Sequence, residues 1–145
     1  MLTATTMINA SPTEVYQFLE DLDSWPIWND DIQDTSLPHG FSYGSSGWIT
    51  VKNRIHKKLQ IVHIDYARSF TMEIRCTFCT IVLETKLKIW RGQTEATIEA
   101  RFKGFLAPLC KRLHRDRLQQ FIRTTLDGLN NASEQGLPAT ASQSI

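Results

Sequence analysis

From Trp48 to Phe102 apolar and polar residues alternate with a period of two, and from about Phe105 to Ala132 the period changes to three and four. The first period lays one face of a strand against a core; the second does the same for a helix. Phe70, Met72, Ile74 and Cys76 alternate with Thr71, Glu73, Arg75 and Thr77. Ile81, Leu83, Leu87 and Ile89 alternate with Val82, Glu84, Lys86 and Lys88. After an Arg91-Gly92-Gln93 turn, Ala96, Ile98, Ala100 and Phe102 alternate with Glu95, Thr97, Glu99 and Arg101. Upstream, Ile49 and Val51 share one face of a strand, and Leu59 and Ile61 one face of the next, which puts Val62 and Ile64 on its other face. Consecutive strands with short connections and no helix between them form an antiparallel meander.

Two helical regions flank this meander. Leu2 to Asn9 reads as a first strand, and Ser11-Pro12 with Glu14 supplies an N-cap hydroxyl, a proline at the first helical position and a capping-box carboxylate. Val15, Phe18, Leu19 and Leu22 give that helix an apolar stripe, and Ser24-Trp25-Pro26 restarts the chain as a short second turn carrying Trp25, Ile27 and Trp28. Ile32 to Leu37 is an edge strand, and Pro38 to Gly47 is a loop rich in glycine and serine. Lys103-Gly104 ends the last strand, and Pro108 sits in the first turn of a final helix. Leu109, Leu113, Leu118, Ile122, Leu126 and Leu129 are expected to run down it as one stripe, with Leu106, Cys110, Phe121 and Thr125 beside them. That helix reaches about 40 Å, enough to span the sheet. The fold class is therefore α+β: a curved antiparallel sheet wrapped around a long terminal helix, two short helices after the first strand, and a hollow between sheet and helix. Residues 1–132 form one domain; the Ser-, Ala- and Thr-rich segment from Ser133 to Ile145 is expected to be a disordered tail.

Composition narrows the function classes. A formal net charge of +1 over 145 residues gives no global reason to bind nucleic acid. Met1 to Ala10 has neither a basic segment nor an apolar run, so a cytoplasmic location is expected. Three cysteines, an odd number, argue against a disulfide framework.

Residues with reactive side chains are few. Cys76-x-x-Cys79 has the spacing of a redox or zinc half-site, yet it ends a strand and lacks a second pair of ligands, so both are read as small core-like residues near a hairpin. His56 and His63, an odd number apart, point to opposite faces of a straight strand, while His39 lies in a loop and His114 on the helix; no metal and no cofactor are expected. Lys111, Arg112, Arg115 and Arg117 cluster around His114 and read first as a solvated helix face, with a membrane or anionic-partner surface as the alternative. Arg117 continues the Leu113 to Phe121 spacing; an outward, snorkelling side chain is the first reading, and the alternative is a buried stem whose head reaches into the hollow as an anchor for a carboxylate, carbonyl or phenolate. Glu73 and Arg75 fall outside by parity, and no inward acid or base is identified, so no catalytic residue is assigned.

The motifs Ser11-Pro12-Thr13-Glu14-Val15, Trp25-Pro26-Ile27-Trp28-Asn29 and Gly104-Phe105-Leu106-Ala107-Pro108-Leu109, in this order around the meander, resemble the polyketide cyclase/dehydrase and lipid-transport branch of the START-like, birch-pollen-allergen-like superfamily. The resemblance covers about residues 2 to 132, and its motifs are structural corners. It implies a helix-grip fold, a seven-stranded sheet curled round the terminal helix with a cavity for apolar molecules such as lipids, steroids or polyketides. It leaves the activity open.

The expected function is binding of a small hydrophobic or amphipathic molecule in that cavity. Its expected lining is Trp28, Phe70, Met72, Ile74, Ile98, Phe102, Leu109, Leu113 and Phe121, with Arg117 as polar anchor. A polyketide cyclase, aromatase or dehydratase would need at least two titratable side chains pointing inward. An interaction module using the basic terminal helix would need a filled core and an exposed apolar patch. Neither ligand identity nor oligomeric state is written in the sequence.

Overall fold

The structure, a computed structural model, describes residues 2–135. Seven strands form one sheet: β1 (Leu2–Ile8), β2 (Ile32–Ser36), β3 (Ser46–Val51), β4 (Ile55–Asp65), β5 (Ser69–Arg75), β6 (Thr80–Trp90) and β7 (Gln93–Lys103). Their order is β1-β7-β6-β5-β4-β3-β2, and every neighbouring pair is antiparallel. Helices α1 (Pro12–Glu20) and α2 (Trp25–Trp28) follow β1, and α3 (Ala107–Gln135) closes the fold. The α+β class and the antiparallel meander are as the pattern predicts. Helix α3 runs through Ser133 to Gln135, so the first three residues of the expected tail are helical; residues 136–145 lie outside the described residues.

The sheet is built for close approach of α3 along β1 and β7. Ala4, Ala96 and Ala100 are buried on its inner face, and small side chains there leave room for a helix backbone. Against them pack Leu118, Ile122, Leu126 and Leu129, all buried in the same core cluster as Leu2, Ile8, Leu59, Ile61, Phe70, Met72 and Ile98. One residue departs from simple alternation. The β4–β5 register shifts between Ile61 and His63, so Ile64 pairs with Phe70 and packs against the core instead of facing outward with Val62. A bulge adds one residue and returns the following side chain to the inner face.

The corner motifs tie the short helices to α3. Ser11 Oγ accepts from the Glu14 N–H at 3.2 Å, and Glu14 Oε1 accepts from the Ser11 N–H at 3.0 Å, which completes the capping box. The Trp25 indole N–H donates to the Leu19 carbonyl at 3.0 Å. Asn29 is fully buried: its Nδ2 donates to Thr125 Oγ1 at 2.8 Å, and its Oδ1 accepts from the Asp31 N–H at 3.0 Å. The Thr125 hydroxyl donates in turn to the Phe121 carbonyl at 2.8 Å, so each of these buried side chains has its partners. Gly128, in the interior of α3, faces the Trp28 carbonyl so closely that a Cβ would collide with it. The glycine is thus the condition for α2 and α3 to meet.

Two stability predictions follow from these assignments. Gly128→Ala ordinarily gains about 1 kcal/mol in a helix interior, but here it should lose about 1–3 kcal/mol through overpacking against Trp28. Leu126→Ala should cost about 2–5 kcal/mol, and Lys88→Ala, on the exposed face of β6, should stay within about 0.5 kcal/mol. Urea unfolding measures all three; a stabilised Gly128→Ala protein would show that α2 and α3 are further apart.

Candidate ligand-binding cleft

Helix α3 divides into two halves with different surroundings. From Lys111 to Arg117 every residue is exposed, whereas Leu118 begins the buried stripe. Leu109 is 48% and Leu113 66% exposed, so neither lies in the interior where the single-stripe reading puts it. The reason is a count. Leu113 and Leu118 are five residues apart, which rotates the apolar direction by about 140°, and Leu109 and Leu118 lie about 180° apart. The two leucines therefore face away from the sheet.

Beneath the same turns lies a cleft of about 330 Å³. Leu2 from β1, Ala100, Arg101 and Phe102 from β7, and Ala107, Pro108 and Lys111 from α3 line it. Its walls are mainly apolar. Leu2 and Ala100 are paired across β1 and β7, so the floor is rigid, while the roof is the end of α3 that has no buried stripe.

Of the residues expected to form the site, Phe102 lines this cleft. Phe70, Met72, Ile74 and Ile98 are buried in the core cluster behind it, with the Phe70 ring edge-on to Phe41 at a centroid distance of 5.2 Å. Phe121 is half-buried against that cluster. Trp28 packs on Trp25, ring centroids 5.6 Å apart, and borders a separate, more polar groove of about 400 Å³ with Asp30, Asp127 and Asn131 near the other end of α3. Arg117 is exposed; the cation that α3 contributes to the cleft is Lys111, six residues earlier and on the sheet-facing side of the helix, beside Arg101 of β7. The sequence reading also missed Lys57. It lies opposite Ile49 in the β3–β4 ladder and alternates with Leu59 and Ile61, a parity that places it on the inner face.

The three cysteines meet at this end of the molecule. The Cys76 N–H donates to the Cys79 carbonyl at 2.9 Å in the β5–β6 turn, and the first turn of α3 brings Cys110 against them. Cys79 and Cys110 are buried and all three thiols are free. Burial, reinforced by the Cys110 thiol, pushes Cys79 up to about 12, and burial also raises Cys76 despite the nearby Lys57 ammonium. Such thiols stay protonated at neutral pH and are poor nucleophiles. Tyr16, buried among Phe41 and Tyr66, is likewise pushed up to about 12, by burial and then by Glu20. Among the described residues no group of three His, Cys, Asp or Glu side chains is placed to hold a metal ion. Iodoacetamide at about pH 8 should accordingly label Cys79 and Cys110 only after unfolding in urea, as read by mass spectrometry; rapid labelling of the native protein would contradict their burial.

Comparison with known proteins agrees with the geometry. A search of curated protein sequences finds no match. Among solved structures, TTHA0849 from Thermus thermophilus superposes with a TM-score of 0.78 at 11% identity over 94% of this chain and 98% of that one. Ara h 8.0201 gives 0.70 at 17% identity over 91% and 95%. The di-domain ARO/CYC StfQ from the steffimycin biosynthetic pathway gives 0.69 at 15% identity over 94% of this chain and 45% of that protein. These likenesses show the shared fold. The family described as polyketide cyclase / dehydrase and lipid transport matches residues 1–134. With the corner motifs, the curled seven-stranded sheet and the gripped terminal helix all in place, the chain belongs to that polyketide cyclase/dehydrase and lipid transport family.

Proposed function

We propose that the protein binds a small apolar or amphipathic molecule in the cleft beneath the first turns of α3, with the Lys111 ammonium meeting an acidic or carbonyl group on the ligand. The observation that carries this reading is that two apolar walls face one another without closing. Leu2, Ala100 and Phe102 come from the sheet; Ala107 and Pro108 come from the helix. The volume of about 330 Å³ falls at the small end of the range of roughly 300–1,000 Å³ typical of ligand pockets. Family membership supports a hydrophobic ligand. The buried layer of Phe70, Met72, Ile74 and Ile98 forms the back of the site in this proposal, and a ligand longer than the cleft would have to displace part of it.

A binding role fits the cleft better than cyclase or dehydratase chemistry. Its two charged residues are Arg101 and Lys111, and no carboxylate or imidazole lines it. Proton transfer in both directions needs a paired acid and base within hydrogen-bond reach of the substrate.

Titration with a fluorescent fatty-acid analogue tests the proposal. Ala107→Trp, which fills the cleft from the helix side, should weaken binding at least about tenfold with the urea midpoint unchanged. Lys111→Met should weaken a carboxylate-bearing probe by about 1.5–3 kcal/mol, the value of a hydrogen bond to a charged group, and leave its uncharged alcohol counterpart unaffected. Unchanged affinity in Ala107→Trp would remove the cleft from the binding site, and equal losses for both probes would remove Lys111 as the anchor.

A further inference from the structure

The outward face of the same turns carries a second, independent feature. Phe105 is 94% exposed, Leu113 66% and Leu109 48%, and Phe78 at the tip of the β5–β6 turn is 63% exposed. Phe78 and Phe105 belong to one end of the molecule. An added Cβ at Gly104 would lie 3.6 Å from the Cys79 Cα and 4.0 Å from the Phe78 carbonyl oxygen, and Cys110 on α3 adjoins Cys79. Two loop aromatics and two helix leucines are thus exposed at one end of the molecule, although singly exposed large apolar residues elsewhere need no explanation.

Charge accompanies the apolar group. Leu109 and Leu113 lie about 40° apart around the helix; Arg112 lies about 60° to one side of Leu109, and Arg117 about 40° beyond Leu113 on the other. Between residues 111 and 117 there are four cations, Lys111, Arg112, Arg115 and Arg117, against the single carboxylate of Asp116. Among the described residues none of the four forms an ion pair. No helix of the described residues is long and apolar enough to cross a membrane.

We propose that this end of the molecule docks on the surface of an anionic lipid bilayer, Phe78 and Phe105 entering the interface, Leu109 and Leu113 resting at the headgroup boundary and the flanking arginines meeting lipid phosphates. An apolar stripe bordered by basic residues on a helix is the arrangement that lies in an interface plane. A second copy of the chain suits the patch less well, because a two-fold contact would bring the flanking Arg112 and Arg117 against their own counterparts. This docking is independent of whether the cleft binds a ligand. It does place the cleft, on the opposite side of the same turns, next to the lipid.

Co-sedimentation with vesicles tests it. The protein should partition onto vesicles of equal parts phosphatidylcholine and phosphatidylglycerol about tenfold more strongly than onto phosphatidylcholine alone, and should be released at about 1 M salt. The double changes Leu109→Ser with Leu113→Ser, and Arg112→Glu with Arg117→Glu, should each lower partitioning about tenfold while circular dichroism and the urea midpoint stay unchanged. Lys88→Glu, on the far side of the sheet, should leave it unaltered. Equal partitioning onto both vesicle types, no partitioning at all, or a dimer in light scattering that Leu113→Ser dissociates would each overturn the proposal; the last would assign the patch to a second copy.

Discussion

The structure depends on one contact, the packing of the second half of α3 on the small-residue floor of β1 and β7. Leu118, Ile122, Leu126 and Leu129 settle on Ala4, Ala96 and Ala100, and the anchor is completed by Asn29 bonded to Thr125 and by Gly128 beneath the Trp28 carbonyl. Apolar burial supplies the attraction, while the buried amide and the missing Cβ fix position and rotation of the helix. Once that half is fixed, the five-residue step from Leu113 to Leu118 decides the rest. It turns the earlier leucines away from the sheet and leaves the first turns of α3 as a roof with no buried stripe beneath it.

Three features of the proposed function come from that one geometric consequence. The unclosed space under the roof is the cleft, the cation that rotation brings to its underside is Lys111, and the apolar residues it rotates outward are those proposed to meet a bilayer. The family's description names both cyclases and lipid transport, so membership fixes the scaffold and leaves the activity open. In this chain the cleft between sheet and helix offers apolar surface and two cations, the observation behind the proposed binding role.

Much of the fold was legible because strand alternation and capping are local. The capping box at Ser11, the Trp25–Trp28 turn and the meander from β2 to β7 all follow from residues within a few positions of one another. Ile64 faces the core, against the alternation, because a bulge at Val62 adds one residue that periodicity alone does not register. Leu109 and Leu113 escape the single-stripe pattern for a different reason: the pattern joins six leucines and isoleucines across an interval of five that a helix cannot keep on one face. Lys57 was readable by parity with Leu59 and Ile61, whereas the cleft was not, since it joins Leu2 to Ala100 and both to Lys111, and only tertiary pairing brings these together. The same holds for the three cysteines, whose spacing hides that Cys110 returns to Cys79.

The central claim is that α3 is anchored from Leu118 onward, with only Cys110 buried in its first turn, and is free from Lys111 to Arg117. Hydrogen exchange followed by mass spectrometry measures this directly, because protection reports local opening segment by segment. Amides from Leu118 to Ala132 should exchange only through global unfolding, and those from Lys111 to Arg117 should exchange orders of magnitude faster and slow down when a fatty-acid probe saturates the protein. Uniform protection along the whole helix, unchanged by the probe, would contradict the account.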